Sequence, residues 1–230
     1  MIKPDIDTLK ELKAQNRYKM APLSMEILSD LRTPIEVLKI LKNVSSHCYL
    51  LESVSDHEKW GRYTFLGYDP SLEITCQNGQ MKVGALSFET KNPGKYIRQV
   101  VAEHKSPKFS YLPPFTGGLV GYFSYDYLKY AEPSLRLDAN NTEGFKDVDL
   151  MLFDKVIAFD NFRQKIILIV NINLEDLLPQ RLGRFGSPCA AVESDGRHRQ
   201  GGQAVLPSGR RPEARREGAV RRHRADDRPA

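Results

Sequence analysis

The chain has 230 residues, 40% of them hydrophobic and 27% charged, with a formal net charge of +5. This is the make-up of an ordinary soluble protein, with room for one sizeable domain or for one domain plus an extra segment. No run of 18 apolar residues exists, so no transmembrane helix is expected, and the polar start Met1-Ile2-Lys3-Pro4-Asp5 lacks the apolar stretch of a signal peptide.

The charge is unevenly placed. Residues 1–176 carry 16 Lys and 6 Arg against 23 acidic residues, whereas residues 177–230 carry 12 Arg, no Lys and 6 acidic residues. The basic character therefore belongs to the last 54 residues. Cys48, Cys76 and Cys189 show no zinc-ligand spacing, which fits reduced thiols in a cytoplasmic protein.

Taken in chain order, Ile6 to Gln15 has helical spacing, with Asp7 available as a cap. Thr33-Pro34 opens a second helix whose apolar face is Ile35, Val37, Leu38, Ile40 and Leu41. Strand-like runs follow at 48–54, 62–67, 72–77 and 80–83, the last two flanking Asn78-Gly79, a dipeptide suited to a type I′ turn. Residues 93–104 read as a third helix with Tyr96, Ile97, Val100 and Val101 facing inward, and a Pro-rich hinge (Pro107, Pro113, Pro114) comes next. Leu150–Phe159 and Lys165–Ile172 are β-prone runs joined as a hairpin. The expected fold class is α+β: a mostly antiparallel β-sheet core with flanking helices, over residues 1–176.

Residues 177–230 differ in kind. Gly, Ala, Arg and Pro make up 31 of the 54, so this basic tail is expected to be disordered. The abrupt change from Lys to Arg suggests out-of-frame translation from near Asp176. A genuine basic arm is the alternative.

Among the candidates for chemistry, Gly117-Gly118-x-x-Gly121 fits neither phosphate-binding spacing and reads instead as glycines that let a strand cross neighbouring backbone. Asp147, Asp149 and Asp154 read as strand-edge acids rather than a metal site. Tyr122, Tyr125, Tyr127 and Tyr130 read as packing groups. His47, His57 and His104 have no ligand spacing.

Two segments carry a further signal: Cys48-Tyr49-Leu50-Leu51-Glu52-Ser53 followed by Gly61-Arg62-Tyr63-Thr64-Phe65, and Pro114 to Asp126 with its three glycines. In this order and spacing they resemble the N-terminal region of chorismate-utilising enzymes, most of all anthranilate synthase component I. The resemblance implies a pocket for feedback tryptophan lined by Leu50, Leu51, Glu52 and Ser53, with Arg62, Tyr63 and Thr64 as a second lining stretch. A carboxylate and a hydroxyl suit an α-amino group, and leucines suit an indole ring.

It further implies an enzyme of tryptophan biosynthesis that makes anthranilate and pyruvate from chorismate. The nitrogen would be ammonia, from glutamine through a glutamine amidotransferase subunit (component II). Mg2+ is implied as cofactor. Its ligands and the chorismate residues belong to a C-terminal catalytic domain that nothing after Asp176 matches, so no catalytic or metal residue is assigned and the chain alone is expected to be inactive. The rivals are aminodeoxychorismate synthase component I, of the folate pathway, a nucleic-acid-binding protein using the arginine tail, and a stand-alone regulatory binding module. The net charge of −1 before the tail and the absence of a recognition motif argue against nucleic acid.

Overall fold

The computed structural model describes residues 1–30, 32–52, 61–132, 134, 135 and 142–177. The tail expected to be disordered therefore lies, apart from Leu177, outside the described residues, as does Ser53.

The chain opens with a two-residue strand β1 (Ile2–Lys3) and helix α1 (Ile6–Gln15). The α1 N-cap is Asp5, which accepts the Thr8 N–H at 3.0 Å, and not Asp7. Asp7 sits in the first turn and pairs instead with Lys10. Strand β2 (Met20–Leu28) was not read from sequence, although Ala21, Leu23, Met25 and Ile27 alternate as a strand requires. Helix α2 (Pro34–Val44) has the expected start. The Thr33 hydroxyl accepts the Glu36 N–H and the Glu36 carboxylate accepts the Thr33 N–H, a reciprocal capping box ahead of Pro34.

Strands β3 (Cys48–Glu52), β4 (Tyr63–Tyr68), β5 (Leu72–Gln77), β6 (Gln80–Val83) and β7 (Leu86–Glu89) come next. Asn78 and Gly79, at φ 49° and 83°, form the tight turn between β5 and β6. Helix α3 (Pro93–Glu103) buries Ile97 and Val100, while Val101 is 54% exposed and does not face inward as expected. The Pro-rich stretch is not a hinge. It crosses one sheet face, where Leu112 and Phe115 pack on Val156, Ala158, Ile167 and Ile169. Strand β8 (Gly118–Phe123) and a short helix α4 (Leu128–Ala131) lead to β9 (Val148–Phe153), β10 (Lys155–Asp160) and β11 (Lys165–Asn173).

All pairings are antiparallel. One sheet runs β1-β2-β11-β10-β4-β3 and the other β7-β6-β5-β9-β8. The fold is α+β, as expected. The run Leu150–Phe159 is not one strand: it breaks at Asp154, and β9 joins the second sheet while β10 joins the first. The side chain of Asn171 holds the break by donating to the carbonyls of Asp154 (3.2 Å) and Thr116 (2.7 Å). Helix α2 covers one face of the six-stranded sheet, where Val37 and Leu41 meet Leu66, Ile157, Phe159, Ile166 and Leu168. Helix α3 covers the five-stranded sheet over Ile74, Cys76, Met81, Val148 and Leu150.

The glycine segment behaves as read. Gly121, at φ 153°, lies so close to β9 that a Cβ would stand 2.9 Å from Leu150 Cα and nearer still to the Asp149 carbonyl oxygen.

The acids are a correction. Asp147 is no solvated strand edge but 3% exposed. It accepts from Lys129 Nζ (2.8 Å), the Tyr130 hydroxyl (2.7 Å) and the Asn78 N–H (2.7 Å). Burial pushes its carboxyl up, but these three donors together hold it below the ordinary aspartate value. The tyrosines divide: Tyr127 and Tyr130 pack on the core under α3, while Tyr125 is 80% exposed.

Candidate functional site

The two stretches singled out in the sequence lie side by side. Strand β3 pairs with β4 so that Glu52 stands opposite Thr64, Leu51 opposite Phe65 and Leu50 opposite Leu66. Because side chains alternate across a strand, the Leu-Leu-Glu run is divided between the two sheet faces. Leu50 packs with Leu66 in the cluster under α2. Leu51 points the other way, on the face that carries Phe65, and is 46% exposed. Only one of the two leucines can meet a given ligand ring. Glu52 ends the strand as an exposed carboxylate with no hydrogen-bond or ion-pair partner among the described residues.

The second stretch is tied into the sheet. Arg62 donates to Asp160 through Nε (2.9 Å) and Nη2 (2.5 Å), a bidentate pair, and its guanidinium lies over the rings of Tyr63 (4.8 Å) and Phe162 (5.7 Å). Asp160, its side chain 2% exposed, also accepts the Arg163 N–H at 3.1 Å. Burial raises the Asp160 carboxyl, and Arg62 with the Arg163 amide more than reverses it, so the group titrates below the ordinary value. Thr64 is fully enclosed, its hydroxyl oxygen accepting from Asn161 Nδ2 at 3.3 Å. Tyr63 is half-buried and stacks on Phe65 at 5.8 Å. Of the six described residues of the expected pocket, Leu51 and Glu52 are exposed, Leu50, Arg62 and Tyr63 are half-buried and Thr64 is buried.

The partnership of Arg62 with Asp160 was not read from sequence. The two are 98 residues apart, and no local pattern links them. Among the described residues, no group of three or more His, Cys, Asp or Glu side chains could hold a metal ion. Among them also, no helix is long and apolar enough to cross a membrane.

Known proteins supply the deciding comparison. Over 172 residues the chain is 34% identical to anthranilate synthase component 1 of Acetivibrio thermocellus, covering 73% of this chain and 34% of that protein. The Acinetobacter calcoaceticus anthranilate synthase component 1 is 36% identical over 168 residues, with 69% of this chain and 34% of that protein covered. Over this stretch, the chain belongs to the anthranilate synthase component I family. It spans about a third of the length of these curated relatives. A crystal structure of anthranilate synthase component I from Streptococcus pneumoniae TIGR4 aligns with a TM-score of 0.45 at 26% identity, over 69% of this chain and 34% of that one. No family model matches the chain.

Proposed function

We propose that this chain forms the tryptophan-binding, regulatory part of an anthranilate synthase component I. The observation that supports this reading most is the β3–β4 register. It sets Leu50, Leu51 and Glu52 opposite Leu66, Phe65 and Thr64 and leaves the Glu52 carboxylate without a partner among the described residues, available to a ligand ammonium. In this reading tryptophan sits at the end of β3, its ammonium on Glu52 beside Ser53, and reaches round the strand end to Leu51 and Tyr63 on the face opposite to Glu52. Leu50, Arg62 and Thr64 act through packing, holding β3 and β4 in place. The protein it serves would convert chorismate and ammonia, from a glutamine amidotransferase subunit, to anthranilate and pyruvate in the cytoplasm. The Mg2+ ligands and the chorismate site would lie in the part of the relatives that this chain does not match.

The test is a chimera in which residues 1–176 replace the matching third of the Acinetobacter calcoaceticus relative. Tryptophan is expected to inhibit chorismate turnover by the chimera. Ser53→Phe should raise the inhibitory concentration at least about tenfold, the equivalent of a hydrogen bond to a charged group worth roughly 1.5–3 kcal/mol. An active chimera indifferent to tryptophan would overturn the proposal.

A further inference from the structure

At the opposite end of β3 from Glu52, the end of α2, the start of β3 and strands β8 and β9 border a cleft of about 490 Å3. That is within the range of roughly 300–1,000 Å3 found for small-molecule pockets. Cys48 lines it, and Cys48 and Glu52 are the two ends of β3, so cleft and motif are separated by about 13 Å along the strand.

The cleft has an apolar wall and a polar rim. Tyr49, Val120, Met151 and Phe153 supply the wall, with the Tyr49 and Phe153 rings edge to face at 4.8 Å. Flat aromatic surfaces in that arrangement accept a further planar ring. The rim is Lys42, Ser45, Ser46 and His47, and among the described residues no acidic residue lines the cleft. Both serines are committed: the Ser45 hydroxyl donates to the His47 carbonyl (2.7 Å) and accepts the Asp69 N–H (2.9 Å), and the Ser46 hydroxyl is hydrogen-bonded to His47 Nδ1 (3.1 Å). His47 Nδ1 lies 3.8 Å from the Glu73 carboxylate. Lys42 has no ion-pair partner among the described residues. The C-terminal end of α2 contributes about half a negative charge, which the full charge of Lys42 in the last turn outweighs. The rim is therefore net positive, beside a wall suited to a ring.

We propose that this cleft binds a small aromatic monocarboxylate, its ring against Tyr49, Met151 and Phe153 and its carboxylate on Lys42. This site does not depend on the regulatory reading. Amide spectra of the full 230-residue chain, titrated with benzoate to about 10 mM, should shift at Ser45–Tyr49 and Val120–Gly121 and stay still at Leu51 and Tyr63. Benzyl alcohol should bind at least about threefold more weakly, and benzylamine more weakly still. Lys42→Met, a change on an exposed side chain, should weaken benzoate about threefold or more and leave benzyl alcohol unchanged. Shifts missing from the cleft, equal binding of benzoate and benzyl alcohol, or an unchanged benzoate affinity in Lys42→Met would each overturn the proposal.

Discussion

The ring of Tyr49 fills the space directly over Gly67 on the neighbouring strand. A Cβ on Gly67 would lie 2.6 Å from Tyr49 Cζ and 2.8 Å from its hydroxyl oxygen. The ring cannot swing aside freely, because Phe153 meets it at 4.8 Å and Phe115 at 6.5 Å. Gly67→Ala should therefore destabilise the fold by about 1–3 kcal/mol, the usual cost of overpacking. In a Tyr49→Ala background the same change should cost much less. Urea unfolding of the single and double variants measures the coupling, and strictly additive effects would show that ring and glycine do not compete.

The glycines of β8 are not equivalent. Both Gly118 (φ 132°) and Gly121 (φ 153°) adopt backbone angles that side chains rarely take, but only Gly121 also faces the β9 backbone. Nothing lies within 4 Å of a Cβ on Gly118. Gly118→Ala should cost about 1–3 kcal/mol from strain alone, and Gly121→Ala at least about 1 kcal/mol more because backbone atoms must move. Thermal midpoints of the two variants decide the order.

Arg62 is paired with Asp160 within the sheet, and the worth of that pair is measurable. Arg62→Met leaves the Asp160 carboxylate buried without its cation, at a cost of about 3–5 kcal/mol. A variant as stable as the wild type would show that the Arg62–Asp160 pair does not support the sheet. Asp160 and Asp147 both titrate below the ordinary aspartate value when folded, so the unfolded chain binds more protons in acid. Their contribution is complete above about pH 4 and is lost as pH falls through the lowered folded values. Urea midpoints taken from pH 6 down to about pH 3 should fall more steeply for the wild type than for Asp160→Asn.

Asp154 works in the opposite sense. Its Oδ1 is buried and unbonded among the described residues. Burial raises its carboxyl, Lys155 opposes the shift, and Asp69 adds to it. A raised carboxyl stabilises the fold fully below its unfolded value, and that contribution fades as pH rises through the folded one. Asp154→Asn should raise the thermal midpoint at neutral pH and give little gain near about pH 4. A loss at neutral pH would mean that the ionised form is the one the fold supports.

Local chemistry made several elements readable. Thr33, Pro34 and Glu36 start α2 through contacts within four residues, and Asn78-Gly79 makes its turn because both accept positive φ. The antiparallel α+β class followed from such short-range signals, as did the close crossing at Gly121. What distinguishes β9 from β10 was not local. Both halves of Leu150–Phe159 favour strands equally, and the break at Asp154 depends on the Asn171 side chain, which arrives from β11.

The candidate site divides along the same line. The Leu50–Ser53 and Arg62–Thr64 stretches were visible in the sequence because their order and residue types resemble a family, and the relatives bear out that family. Sequence by itself could not show which face of β3 is covered, because alternation assigns Leu50 and Leu51 to opposite faces without saying where α2 will pack. Nor could it show that Arg62 is already paired, since Asp160 reaches it only when β4 and β10 lie side by side. Turns and caps are decided by backbone angles and hydrogen bonds a few residues long, and these the sequence carries. Burial and charge pairing are decided by chain segments about a hundred residues apart, and only the folded sheet brings those together.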